Sequence, residues 1–180
     1  MAEDKGKRKG AVHVYTGNGK GKTTAAVGLA LRAVGHGFKV FMLQFMKGSK
    51  NYGEIIAAEK YLPDFTIVQS GLETFVSKED PAQVDIDLAL RGLEIAKEVI
   101  RENKYDMVIL DEINVALDYK LIPLGEVVEM IKSRPPEMEL VLTGRDAPKE
   151  IMELGDVVSD VTLVNHPFYH GVEAREGIEF

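Results

Sequence analysis

Apolar residues in this chain come in short unbroken runs separated by segments with helical spacing. Ala11 to Thr16 (AVHVYT), Lys39 to Met46 (KVFMLQFM), Phe65 to Ser70 (FTIVQS), Asp106 to Ile113 (DMVILDEI) and Glu139 to Thr143 (ELVLT) read as strands, and Val157 to Val164 as a sixth. Between them, Thr23 to Val34 is apolar nearly all round, which predicts a buried helix ended by Gly35 and Gly37. A long helix is predicted from Asp80 and Pro81 to about Asn103. Asp80 suits the N-cap there and Pro81 the first turn. Ile86, Ala89, Leu93, Ala96 and Ile100 share one face of it. Pro123 to Lys132 reads as a shorter helix.

Strands alternating with helices predict βαβ units, an α/β fold with three αβα layers and a mostly parallel twisted sheet of about six strands. The strands are continuous apolar runs rather than alternations, which is the pattern of a sheet covered on both faces. Ligands of such sheets bind beyond the carboxyl ends of the strands. Thr16, Gln44, Ser70, Asp111 and Thr143 lie near those ends. No internal repeat, low-complexity stretch or linker interrupts the order, so residues 1–180 read as a single domain.

Composition narrows the picture. Of the 180 residues, 45% are hydrophobic and 28% charged, values for a folded chain with a full core. There is no cysteine, which rules out disulfides and thiolate metal sites and suits a reducing compartment. The first ten residues form a basic segment without the apolar stretch of a secretory signal, and no apolar run approaches the roughly 20 residues that span a bilayer. The expectation is a cytoplasmic protein with no membrane association. Lys5, Lys7, Arg8 and Lys9 cluster in that segment, and termini of this kind are usually frayed and solvated. The formal net charge of −7 argues against a nucleic-acid partner, which would need clustered cations.

The strongest chemical signal lies between the first strand and the first helix: Thr16, Gly17, Asn18, Gly19, Lys20, Gly21, Lys22, Thr23 and Thr24. Glycines there let successive N–H groups turn toward phosphate oxygens, and the following helix contributes its positive end. Lys22 can reach phosphates as a point charge, and Thr23 can offer its hydroxyl to a magnesium ion. The Walker A pattern would place glycine where Thr16 stands. A dinucleotide-binding loop would need glycine at position 22 and an acid after the second strand, where Lys22 and Gln44 stand. Val108 to Leu110 followed by Asp111 and Glu112 is the matching Walker B candidate, with either acid able to hold magnesium. Arg145, just past the fifth strand, can neutralise phosphate charge.

A phosphate loop does not fix a reaction. The chain resembles the P-loop type of ATP:corrinoid adenosyltransferase, which acts on cob(I)alamin or cob(I)yrinic acid a,c-diamide. The resembling stretches are Thr16 to Ala26, Arg32 to Gly37, Gln44 to Gly48, Leu110 to Tyr119, Thr143 to Arg145, and His166 with Gly171, Val172, Gly177 and Ile178. They follow in order through nearly the whole chain. The resemblance implies a RecA-like P-loop fold, ATP as co-substrate, Mg2+ or Mn2+, and a homodimer. It also implies transfer of the 5′-deoxyadenosyl group to cobalt(I) with release of triphosphate. Cobalt(I) is itself the nucleophile, so no general base is needed. By the same resemblance ATP lies reversed in the loop, Asn18 approaches the sugar, Lys20 and Thr24 line the phosphates, and Glu112 is the favoured metal carboxylate. A reductase that supplies reduced corrinoid is an implied partner.

The chain departs from the family in two places. Members often carry a longer segment before the first strand that helps cover the corrinoid, and about ten residues precede it here. Many also have an aromatic pair after the third strand, where this chain has Leu72 and Thr74, leaving Phe75 as the candidate corrinoid contact. His166 is a second candidate for that substrate, although a lone histidine is more often structural. His13 is expected in the core and His36 at a helix end. The rival readings are a small P-loop kinase or ATPase that releases ADP, and a nucleotide-dependent binding module.

Overall fold

The computed structural model describes residues 9–180. Lys5, Lys7 and Arg8 of the basic segment fall outside the described residues, and Lys9 is exposed. The strands are β1 (Val12–Thr16), β2 (Val40–Phe45), β3 (Phe65–Ser70), β4 (Met107–Asp111), β5 (Glu139–Thr143) and β6 (Val157–Asp160). They form one sheet in the order β3-β2-β4-β5-β1-β6, with every neighbouring pair parallel. The helices are α1 (Lys22–Val34), α2 (Gly53–Tyr61), α3 (Gln83–Glu102), α4 (Ile113–Asp118), α5 (Leu124–Lys132) and α6 (Lys149–Glu153), followed by a 3₁₀ turn at Pro167–His170. Among the described residues, no helix is long and apolar enough to cross a membrane.

Alternate strand residues feed two cores. Phe41, Leu43 and Phe45 of β2, with Val108 and Leu110 of β4 and Leu140 and Leu142 of β5, pack with Ala89, Leu93, Ala96 and Ile100 of α3. Val40 and Met42, with Ile109 and Val141, pack with Ala26, Ala30 and Ala33 of α1. Burial on both faces is why the strands lack a polar alternation. Gly92 lets α3 approach closely, since a Cβ there would stand 2.8 Å from Ser70 Oγ and 2.9 Å from a Phe45 ring carbon.

Several elements differ from expectation. α1 is not buried all round: it buries a narrow stripe of alanines and leaves Leu31 and Arg32 exposed. Small side chains bring it close to the sheet but cover little of its own surface. α3 begins at Gln83 with Ala82 as N-cap, so Asp80 does not cap it. β4 stops at Asp111 because Glu112 turns left-handed at φ 62° and the apolar run continues as α4. β6 stops at Asp160, because the residues beyond leave the sheet for the loop at its edge. α2, α4 and α6 were not expected. α2 buries only Ile55 and Ala58, and α6 only Ile151, too few for a periodic signal. His13 is half-buried, with Nε2 3.1 Å from Glu139 Oε2, and His36 lies exposed just past α1.

Candidate active site at the strand ends

β1, β4 and β5 end side by side, with β5 between the other two. The chain leaves β1 through Gly17, at φ 91°, where a Cβ would fall 2.1 Å from Asp160 Oδ1, so only glycine fits. It enters α1 through Gly21 at φ 117°. Lys22 lies buried beneath this turn and donates to the carbonyls of Gly17 and Gly19, both at 2.7 Å. Burial holds its ammonium below the usual lysine range, against the opposing pull of Glu112.

One residue further on, the Thr23 hydroxyl donates to Asp111 Oδ1 at 2.9 Å. The Thr143 hydroxyl, from the intervening strand, donates to the same oxygen at 2.7 Å and accepts the Glu112 N–H at 3.0 Å. Asp111 Oδ2 meets Lys47 Nζ at 2.8 Å and Gln44 Nε2 at 3.4 Å. Asp111 is therefore 0% exposed and partnered on both oxygens. Glu112, thrown outward by its left-handed backbone, lines the neighbouring cleft instead. No side chain among the described residues hydrogen-bonds its carboxylate. Burial first, and the Asp111 charge second, push its pKa up, while Lys47, Lys22 and Arg145 pull the other way.

Lys47 and Gln44 received no role from the sequence. Gln44 is fully buried, opposes Asp111 and Gln69 in register, donates to Glu54 Oε1 at 3.0 Å and accepts from Gln69 Nε2 at 3.1 Å. A lone glutamine inside an apolar strand was the signal available for this network. Lys47 lies over the Tyr52 ring, 5.5 Å from its centroid. Burial lowers its pKa, but the charge and hydrogen bond of Asp111 more than offset this and hold it above the usual value.

The cleft holds about 850 Å³ and brings together most of the sequence candidates: Asn18, Lys20, Lys22, Thr23, Thr24, Glu112, Arg145, Phe75 and His166 all line it. Thr16 lies beneath, its hydroxyl accepting the Ala147 N–H at 3.1 Å. Part of the lining is apolar and aromatic: Phe75, Phe168, Tyr169, Ile178 and Phe180. Phe75 itself is fully exposed. His166 caps the 3₁₀ turn, its Nδ1 accepting from the Phe168 N–H at 3.2 Å.

The C-terminal chain grips the loop at three points. Gly19 N–H donates to Val161 O at 2.6 Å, Leu163 N–H to Asn18 Oδ1 at 3.0 Å, and Lys20 Nζ to Glu179 Oε1 at 2.5 Å and to Ile178 O at 3.2 Å. Hydrogen bonds from Arg175 first, and Lys20 second, hold Glu179 down to about 2.

The oxygen donors suit a hard divalent cation. Magnesium takes one or two carboxylates and fills its octahedron with phosphate oxygens and water. Thr23 and Glu112 face one cleft beside a phosphate loop, and among the described residues no cluster of three or more acids and histidines forms a closed metal cage. An open, phosphate-completed site has this composition.

Comparison with known proteins is consistent along the chain. The family described as ATP:corrinoid adenosyltransferase BtuR/CobO/CobP matches residues 8–180. A corrinoid adenosyltransferase from a Sinorhizobium species is 40% identical over 173 residues, covering 96% of this chain and 81% of its own length. The corrinoid adenosyltransferase of Escherichia coli K12 is 39% identical over 172 residues, covering 96% and 86%. The Salmonella typhimurium protein CobA is 37% identical with the same coverage. Among solved structures, a KaiC-like protein from Pyrococcus horikoshii matches with a TM-score of 0.56 at 16% identity, over 88% of this chain and 75% of that one. That likeness is one of fold.

Proposed function

The chain belongs to the ATP:corrinoid adenosyltransferase family and carries out ATP-dependent adenosylation of corrinoids in cobalamin biosynthesis; we propose that it does so in the cleft that joins the phosphate loop to the aromatic wall. The observation that carries this reading is that single cleft. Its lining combines cationic and metal-binding groups with an apolar, aromatic set. ATP and a macrocycle need opposite chemistries brought within one bond length, and the cleft offers both.

In this reading the loop amides, Lys22, Lys20, Thr24 and Arg145 bind the triphosphate, and Asn18 meets the sugar. Lys22 exchanges its two loop carbonyls for phosphate oxygens, a trade that a buried ammonium makes readily. Thr23 and Glu112 hold magnesium, with Asp111 behind them. Bound there, the ion would neutralise charge that builds on the triphosphate as it leaves. Phe75 and His166 face the corrinoid. Cobalt(I) attacks the 5′ carbon of the ribose, the carbon–oxygen bond to triphosphate breaks, and its electron pair leaves on the phosphate oxygen. The protein contributes position and a preorganised positive field. We further propose a homodimer in the cytoplasm, supplied with reduced corrinoid by a separate reductase.

The test is an anaerobic reaction of ATP and magnesium with chemically reduced cobalamin. Loss of the cobalt(I) absorption, a light-sensitive adenosyl product and inorganic triphosphate are expected, all lost in Lys22→Ala. ADP formed in place of triphosphate would return the site to the kinase or ATPase reading.

A further inference from the structure

Two carboxylates stand side by side at the end of β4, and the structure treats them unequally. Asp111 is fully enclosed, with Oδ1 accepting from Thr23 and Thr143 and Oδ2 from Lys47 and Gln44. Glu112 faces the cleft with no side-chain donor among the described residues. A divalent cation between them could take either acid, or both. Lys47 arrives from the chain that leaves β2, past Met46 in the left-handed conformation at φ 57°. A residue other than glycine in that region is a local strain, and here it delivers the ammonium to the acid.

We propose that Lys47 is a positioning residue that divides the work between the two carboxylates. Its ammonium occupies Asp111 Oδ2 and so denies that oxygen to a metal ion. Asp111 is thereby left as the acceptor that orients the Thr23 hydroxyl. Because that hydroxyl donates its proton to Asp111 Oδ1, its oxygen stays available as a ligand, and of the two adjacent acids Glu112 is the one that lines the cleft. Placement of a metal ligand by an outer acid is a common arrangement. What is particular here is the cation that keeps the outer acid outside. This role rests on the reading of Thr23 and Glu112 as metal-binding groups.

The experiment measures Mn2+ affinity by electron paramagnetic resonance in the full chain with ATP present and corrinoid absent. In Lys47→Met the freed Asp111 oxygen adds an anionic ligand. Mn2+ should bind about tenfold tighter while the adenosyl transfer rate falls about 10- to 100-fold, the range typical of outer-shell changes. A purely structural lysine would move both in the same direction. The double variant Lys47→Met/Asp111→Asn removes both partners with no change in net charge, and so keeps the test alive if the single variant folds poorly. Its Mn2+ affinity should return to within about threefold of the unaltered chain, a spread allowed by ordinary context effects. Loss of binding in the double variant would mean that Asp111 is itself a ligand, and would overturn the proposal. So would a folded Lys47→Met that binds Mn2+ no more tightly. If the unaltered chain transfers adenosyl groups but binds no Mn2+, the reading of the metal site falls first, and the role of Lys47 with it.

Discussion

The two kinds of lining in the cleft, polar and aromatic, are built by different rules. At the phosphate end Thr16, Lys22 and Asp111 are buried at a strand end or the first turn of a helix, and Lys22 and Asp111 are each hydrogen-bonded more than once. At the aromatic end Phe75, Phe168 and Tyr169 are exposed and stand on loops and a 3₁₀ turn. Charged phosphates and a small cation need fixed partners within a few tenths of an ångström. A macrocycle that must enter, react and leave can be held by apolar area, which tolerates looser geometry. The difference predicts that damage at the phosphate end appears in turnover, and damage at the aromatic end in substrate affinity.

Lys22→Ala should break the comparison most severely, costing about 100- to 1,000-fold in kcat, the usual effect of removing one preorganised charge donor. Steady-state kinetics with saturating ATP would read it. Phe75→Ala should raise the KM for corrinoid about tenfold, roughly 1.4 kcal/mol of lost apolar contact, with the KM for ATP unchanged. Because Phe75 is exposed, its melting temperature should not move. An equal effect on both substrates would deny that the ends are separate.

Glu112→Gln sharpens the contrast from the stability side. Burial and Asp111 raise the pKa of Glu112 in the folded chain, so the folded state holds its proton to a higher pH than the unfolded state does. Stability is therefore lost as pH rises from the ordinary carboxylate value through the raised one. The Gln variant should melt higher than the parent at pH 7, without ligands. The gain should vanish below about pH 4.3, where both forms of the acid are neutral.

The smallest effect is expected where the two ends meet. Glu179 holds Lys20, a lysine assigned to phosphate, through an exposed ion pair. Exposed pairs of this kind are screened by solvent and contribute little. Glu179→Gln should therefore tighten ATP binding by no more than about fivefold in a calorimetric titration. Weaker binding would mean that Glu179 aims Lys20 at the nucleotide rather than competing for it.

The same division explains what could be read from the sequence. All six strands, the loop from Thr16 to Thr24 and the Asp111–Glu112 pair announce themselves locally, because apolar runs and glycine spacing are short-range signals. Lys47 was missed since its meaning depends on Asp111, 64 residues away. The closure of the C-terminal chain over the loop was missed for the same reason, with Lys20 and Glu179 separated by 159 positions. The continuation of β4 to Ile113 was expected because α4 is as apolar as the strand before it. Only the backbone at Glu112 separates the two elements.

That single residue has a consequence for how the chain can change over time. Glu112 must reverse the chain between β4 and α4 in a conformation that costs a residue with a Cβ about 1–2 kcal/mol. Glycine would adopt it freely, and asparagine more easily than glutamate. A copy of this chain released from selection for its chemistry should therefore drift toward Gly or Asn at 112 and melt at a higher temperature as it loses activity. Glutamate persists there only while the carboxylate is in use, so identity at position 112 would tell a working enzyme from a retired one.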